Sequence, residues 1–135
     1  MAFEVEMITP NLMYVTYLDP MNLREDLKGV VAASAEAAGA TSGTIVRVGD
    51  GNQMSSMGFS DLVLSLGQLI NNEPGSLRDK RFLNVFVHDQ PIAKMASDFM
   101  KQAQYGGMMV PVFPERAEAL EWAHQFLSEQ QGEAD

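Results

Sequence analysis

With 135 residues, 46% of them hydrophobic, the chain has the length of one ordinary domain and can bury a core without covalent staples. The absence of cysteine excludes disulfides, thiolate zinc sites and a cysteine nucleophile. Nine basic against eighteen acidic residues give a net charge of -9, which repels phosphate backbones and anionic lipid surfaces, so nucleic acid is not an expected partner. The opening MAFEVEMITP has two glutamates, no basic region and no apolar segment of signal-peptide length. Nowhere do about 18 apolar residues run together, so no membrane span is expected and the chain reads as soluble, unprocessed and cytoplasmic.

Phe3, Val5 and Met7 alternate with Glu4 and Glu6, the period of two that marks a strand with one wet face. A turn at Pro10 and Asn11 leads into a second strand from Leu12 to Leu18, antiparallel to the first because the connection is short. Asp19 and Pro20 read as a helix start. Leu23, Leu27, Val30, Val31 and Ser34 then make one helical stripe that ends near Ala38, before Gly39.

Residues 45–70 form the central unit. An apolar β-branched run ends at Gly49, a polar loop follows, and Leu62, Val63, Leu66, Leu69 and Ile70 trace a second helical stripe with Asp61 in or near its first turn. Phe82 to Val87 reads as a central parallel strand and Asp89, Gln90 and Pro91 as another helix start. Met109 to Phe113 is a last strand, and Pro111, which lacks an amide hydrogen, puts it at a sheet edge. A final helix from Glu115 carries the only tryptophan, Trp122, and the acidic residues 128–135 are expected to fray. The order β-β-α-β-α-β-α-β-α predicts an α/β single domain with a mainly parallel sheet and an antiparallel first strand.

This order, the strand, serine-bearing loop and helix of residues 45–70, and the ending VPVFPERAEALEW resemble the sulphate transporter and anti-sigma factor antagonist (STAS) superfamily in its SpoIIAA-like branch. PGSLRDKR and QYGGMMVPVF resemble a bacterial subgroup of uncharacterised SpoIIAA-like proteins. The resemblance implies a protein without catalysis of its own. It also implies a protein partner, a kinase-like regulator, and a switch by phosphorylation of a Ser or Thr that follows an Asp at the start of the second helix. The corresponding stretch here is Met54, Ser55, Ser56, Met57 and Gly58, with Met54 in the place of the Asp and Gly58 one residue late.

Ser55 and Ser56 are therefore candidate phosphoacceptors, and equally good helix caps. Asp50, Asn52, Met54, Met57 and Phe59 are the candidate partner or ligand surface, because thioethers and an aromatic beside a polar loop can form an adaptable patch or face the core. Asp19, Asp50, Asp89 and Glu115 each follow a strand and would gather near one sheet edge, where helix capping explains three of them without a metal. His88 beside Asp89 lacks a positioned nucleophile, and Arg78, Lys80 and Arg81 read as a solvated turn. The reading is a non-enzymatic interaction or regulatory module with no cofactor and no metal. The alternative is a small carrier of an apolar ligand or lipid, of the lipid-transfer type. A homodimer follows if helices wound on one side leave part of the sheet's other face uncovered.

Overall fold

The computed structural model describes residues 3–19, 22–54, 61, 65, 69–101 and 110–134. Among these residues the chain forms, in order, β1 (Phe3–Thr9), β2 (Leu12–Tyr17), α1 (Leu23–Ala38), β3 (Ile45–Asp50), β4 (Phe82–Val87), α2 (Pro91–Met100), β5 (Val112–Phe113) and α3 (Arg116–Ala134). That is one element fewer than expected. The helix expected to end near Asn71 and Asn72 is described at residues 61, 65 and 69, which are helical, and at residues 70–72, which are not. There the Ser65 hydroxyl donates to the Asp61 carbonyl oxygen at 2.7 Å, the contact of a single helical turn.

The five strands make one sheet in the order β1-β2-β3-β4-β5. β1 pairs antiparallel with β2, and all later pairs are parallel. The molecule is thus α/β with a mixed sheet, antiparallel at its first edge, and β5 beside Pro111 forms the other edge.

Alternation along the strands assigns each side chain to a face. Met13, Val15, Ile45 and Phe82 face one side, where they pack with Phe3 of β1 and with Val30 and Ala38 of α1. Leu12, Tyr14, Val46, Val48, Val85 and Val87 face the other and pack against Ala119 and Ala123 of α3. β3 is buried on both faces, which explains its dense β-branched run. Val46 and Val48 are fully buried, and each contributes roughly 1.5–3 kcal/mol of apolar burial.

Three local features differ from the sequence reading. The cap of α1 is Asn22 rather than Asp19: its side chain accepts from the Glu25 amide at 3.1 Å, while Asp26 accepts from the Asn22 amide at 2.8 Å. α3 continues to Ala134, through the segment expected to fray from residue 128. It also lies on the face opposite α1, where small Ala119 and Ala123 let it approach closely. The open face on which the expected homodimer rested is thus covered by α3 across β2, β3 and β4. No helix among the described residues is long and apolar enough to cross a membrane.

Candidate functional site

The parallel register brings the carboxyl ends of three strands level, since Asp50 pairs with Val87 and Val87 with Phe113. The residues that follow, Gly51, His88 and Pro114, line one rim, the edge where open α/β sheets present their loops. Asn52 ties that rim together. Its side-chain nitrogen donates to the Pro114 carbonyl oxygen at 2.8 Å, and its side-chain oxygen accepts from the Asp89 amide at 2.9 Å. One exposed side chain thereby joins the loop after β3 to those after β4 and β5. The Gly51 amide donates to Val87 at 2.9 Å and the His88 amide to Phe113 at 2.9 Å, which extends the ladder past the strands.

Beneath the rim, Asp50 is a buried carboxylate with both oxygens engaged. Oδ1 accepts from the Asn52 amide at 2.8 Å, and Oδ2 accepts from the Tyr14 hydroxyl. Burial, then the Asp50 hydrogen bond and charge, push the Tyr14 hydroxyl well above its ordinary range, while nearby Arg116 acts in the opposite sense. The Arg116 guanidinium lies 4.4 Å from the Tyr14 ring centroid, stacked as a cation on the aromatic face. The Tyr14 proton is therefore held rather than available for transfer.

His88 is fixed as well. Its Nδ1 accepts from the Gln90 amide at 3.0 Å, which places the ring proton on Nε2. Asp89 Oδ1 stands 4.0 Å from Nδ1, beyond hydrogen-bond reach. A Cβ at position 51 would lie 2.7 Å from His88 Cδ2, so glycine there is the condition for the ring's position. Among the described residues no three His, Cys, Asp or Glu side chains are grouped to hold a metal ion.

The residues proposed as a surface thus separate into kinds. Asp50 is buried and internal, Asn52 is exposed and structural, and Met54 is half-buried, its amide donating to the Gly51 carbonyl oxygen at 3.1 Å. Ser55, Ser56, Met57 and Phe59 lie outside the described residues. Tyr14 had signalled only a strand, because its partner is 36 residues away in sequence.

A second polar centre, not singled out in the sequence, occupies the other face of β3. Arg47 is buried, and its Nε donates to Asn84 Oδ1 at 2.9 Å. Nη1 donates to the Gly75 carbonyl oxygen and Nη2 to that of Ser76 at 3.0 Å, with the Phe82 ring centroid 4.2 Å from the guanidinium carbon. Burial lowers its pKa to about 10, against the charges of Tyr17 and Asp79, and it remains a cation at neutral pH. The loop it grips is held from outside by Asp79, which accepts from the Gly75 amide at 2.7 Å and pairs with Arg81 at 2.7 Å. Arg81 thus braces the loop it was expected only to solvate.

No family model, curated protein or solved structure matches the chain.

Proposed function

We propose that the chain is a non-enzymatic regulatory or assembly module that docks a protein partner on the carboxyl rim of its sheet and on the adjoining residues 54–60. The observation that carries this reading is the engagement of the rim's polar side chains within the protein. Asp50, Tyr14, Asn52 and His88 all have hydrogen-bond partners inside the protein, which suits a rigid platform better than a reacting centre. The mixed sheet with its antiparallel first pair and the motif at residues 54–58 support assignment to the SpoIIAA-like domains, with a kinase-like regulator as partner. Ser55 or Ser56 is the switch in this reading. A phosphate there adds about −1.5 to −2 charges beside Met54, Met57 and Phe59, which opposes an apolar contact by desolvation and repulsion.

The test is phosphorylation by the cognate kinase, followed by mass spectrometry of the modified peptide. Label confined to residues 55 and 56, and lost in the Ser55→Ala/Ser56→Ala variant, supports the switch. Label that survives the double substitution places it elsewhere.

A further inference from the structure

A groove of about 580 Å³ opens between α2, the β5 edge and α3. Its apolar wall is formed by Leu83, Val110, Pro111, Trp122 and Phe126. Trp122 and Phe126 stack with centroids 5.5 Å apart and planes at 13°, and Phe113 supports Trp122 from 6.1 Å. The sheet register puts the groove toward the amino ends of β4 and β5, because Phe86 pairs with Val112 and Leu83 lies three residues earlier. It is therefore separate from the carboxyl rim and does not depend on any function there.

The opposite wall is charged. Lys94 and Lys101 both line the groove, seven residues apart and so on one stripe of α2 and the turn beyond it. Asp98 stands between them and pairs with Lys101 at 3.5 Å, while Lys94 has no carboxylate partner among the described residues. Ser97 is buried and donates to the Val110 carbonyl oxygen at 2.6 Å, which fixes α2 against the residues that lead into the edge strand β5. The chain has only nine basic residues and a net charge of -9, so a groove lined by two ammonium groups against the single carboxylate of Asp98 is a local reversal of its field.

We propose that this groove binds a long-chain carboxylate, a free fatty acid, with its acyl chain along Trp122, Phe126 and Leu83 and its carboxylate on Lys94, the lining ammonium that Asp98 does not pair. The volume lies within the range of small-ligand sites. An aromatic floor beside one unpaired amine, on a wall of net positive charge, is the complement of an apolar tail ending in a single anion. A cation of the same length meets the same apolar wall and the like charge of Lys94. An alcohol meets the wall and gains no ionic contact.

Trp122 is the only tryptophan, so its fluorescence reports the groove directly. Laurate, lauryl alcohol and lauryltrimethylammonium are titrated into the full chain below their aggregation concentrations, with calorimetry as a second measurement. The expected result is a saturable blue shift with laurate, with the alcohol and the cation each binding about tenfold more weakly or worse. In the Lys94→Gln/Lys101→Gln variant the advantage of the acid disappears while the alcohol is unchanged. Both positions are exposed, and circular dichroism checks that this variant folds. Equal binding of acid, alcohol and cation overturns the proposal, as does a Trp122 signal that laurate leaves unmoved. A shift produced by phosphatidylglycerol vesicles but not by monomeric laurate overturns it in favour of a membrane contact.

Discussion

Arg47 and Asp50 are three residues apart on one central strand, and alternation sends them to opposite faces of the same sheet. Both are buried charged side chains, but they are neutralised in different ways. Arg47 is held by two loop carbonyls, Asn84 and an aromatic face, so two of its donors lock residues 75 and 76 onto the sheet while a third holds Asn84. Asp50 is held by a tyrosine hydroxyl and an amide of its own turn, so its acceptors shape the carboxyl rim. The first centre ends in the fold. The second ends at a surface, two residues from Asn52 and four from Met54. The contrast separates a polar cluster that serves stability from one that builds a platform.

Loss of Arg47 tests the first centre and carries the largest expected effect. Arg47→Met leaves the Gly75 and Ser76 carbonyls and Asn84 without their donor inside the protein, and should lower stability by about 3–5 kcal/mol in urea unfolding. A loss below about 1 kcal/mol would mean that water replaces the guanidinium and that the loop is not anchored there. Gly75 belongs to the same anchor: its φ is 86°, and a Cβ would lie 2.1 Å from the Val31 carbonyl oxygen of α1.

Removing the Tyr14 hydroxyl tests the second centre. Tyr14→Phe leaves Asp50 Oδ2 without a donor beneath the rim and should cost about 1–3 kcal/mol. It also has a signature in pH. Tyr14 and Tyr17 are raised above their ordinary value in the fold, so their contributions are complete below about pH 10 and decline as pH rises beyond it. Arg47, lowered to about 10, has the opposite sign: between that value and its unfolded one the unfolded chain binds more protons, and stability rises with pH. Tyr14→Phe should therefore flatten the alkaline loss, and unchanged steepness would assign that loss to Tyr17.

Asn52→Ala removes two hydrogen bonds from an exposed side chain and should cost only about 1 kcal/mol, while hydrogen exchange speeds at Asp89 and the following turn. Protection that stays intact would show that the strand ladder alone holds the rim. The smallest effect belongs to Asp79, whose carboxyl is held well below the usual range by Arg81 first, then by amides, against burial. Its contribution is present above about pH 4 and is lost as pH falls through its folded value. Asp79→Asn should flatten the acid limb by less than about 1 kcal/mol, because Arg81 is substantially exposed.

The elements nearest to plain periodicity were legible in the sequence. The alternation of Phe3, Val5 and Met7, the α1 stripe of Leu27, Val30, Val31 and Ser34, and Pro111 beside an edge strand all lead to the observed architecture. The cap of α1 was misplaced because Asp19 and Asn22 are both good caps, and only the structure shows which amides are near. Arg47 carries no local signal, since its partners stand 28, 29 and 37 residues away. Asn52 was singled out for its place in a polar loop, yet its role as a tie depends on Pro114, 62 residues on. Side chains that join distant segments leave no local period to read. The side of the sheet taken by α3 was hidden for a similar reason, because amphipathicity gives a helix one apolar face without saying which sheet face receives it.

The central claim is that the carboxyl rim and its neighbouring residues form the docking surface. It is tested most directly by placing a photo-crosslinking residue at Met54 and, separately, at exposed Met95 on α2, then irradiating the cell of origin. The account predicts one defined heteromeric adduct from position 54, none of it from position 95, and its loss when Ser55→Asp and Ser56→Asp are introduced. The same adduct from position 95 alone, or an adduct from position 54 that those substitutions leave intact, would contradict it.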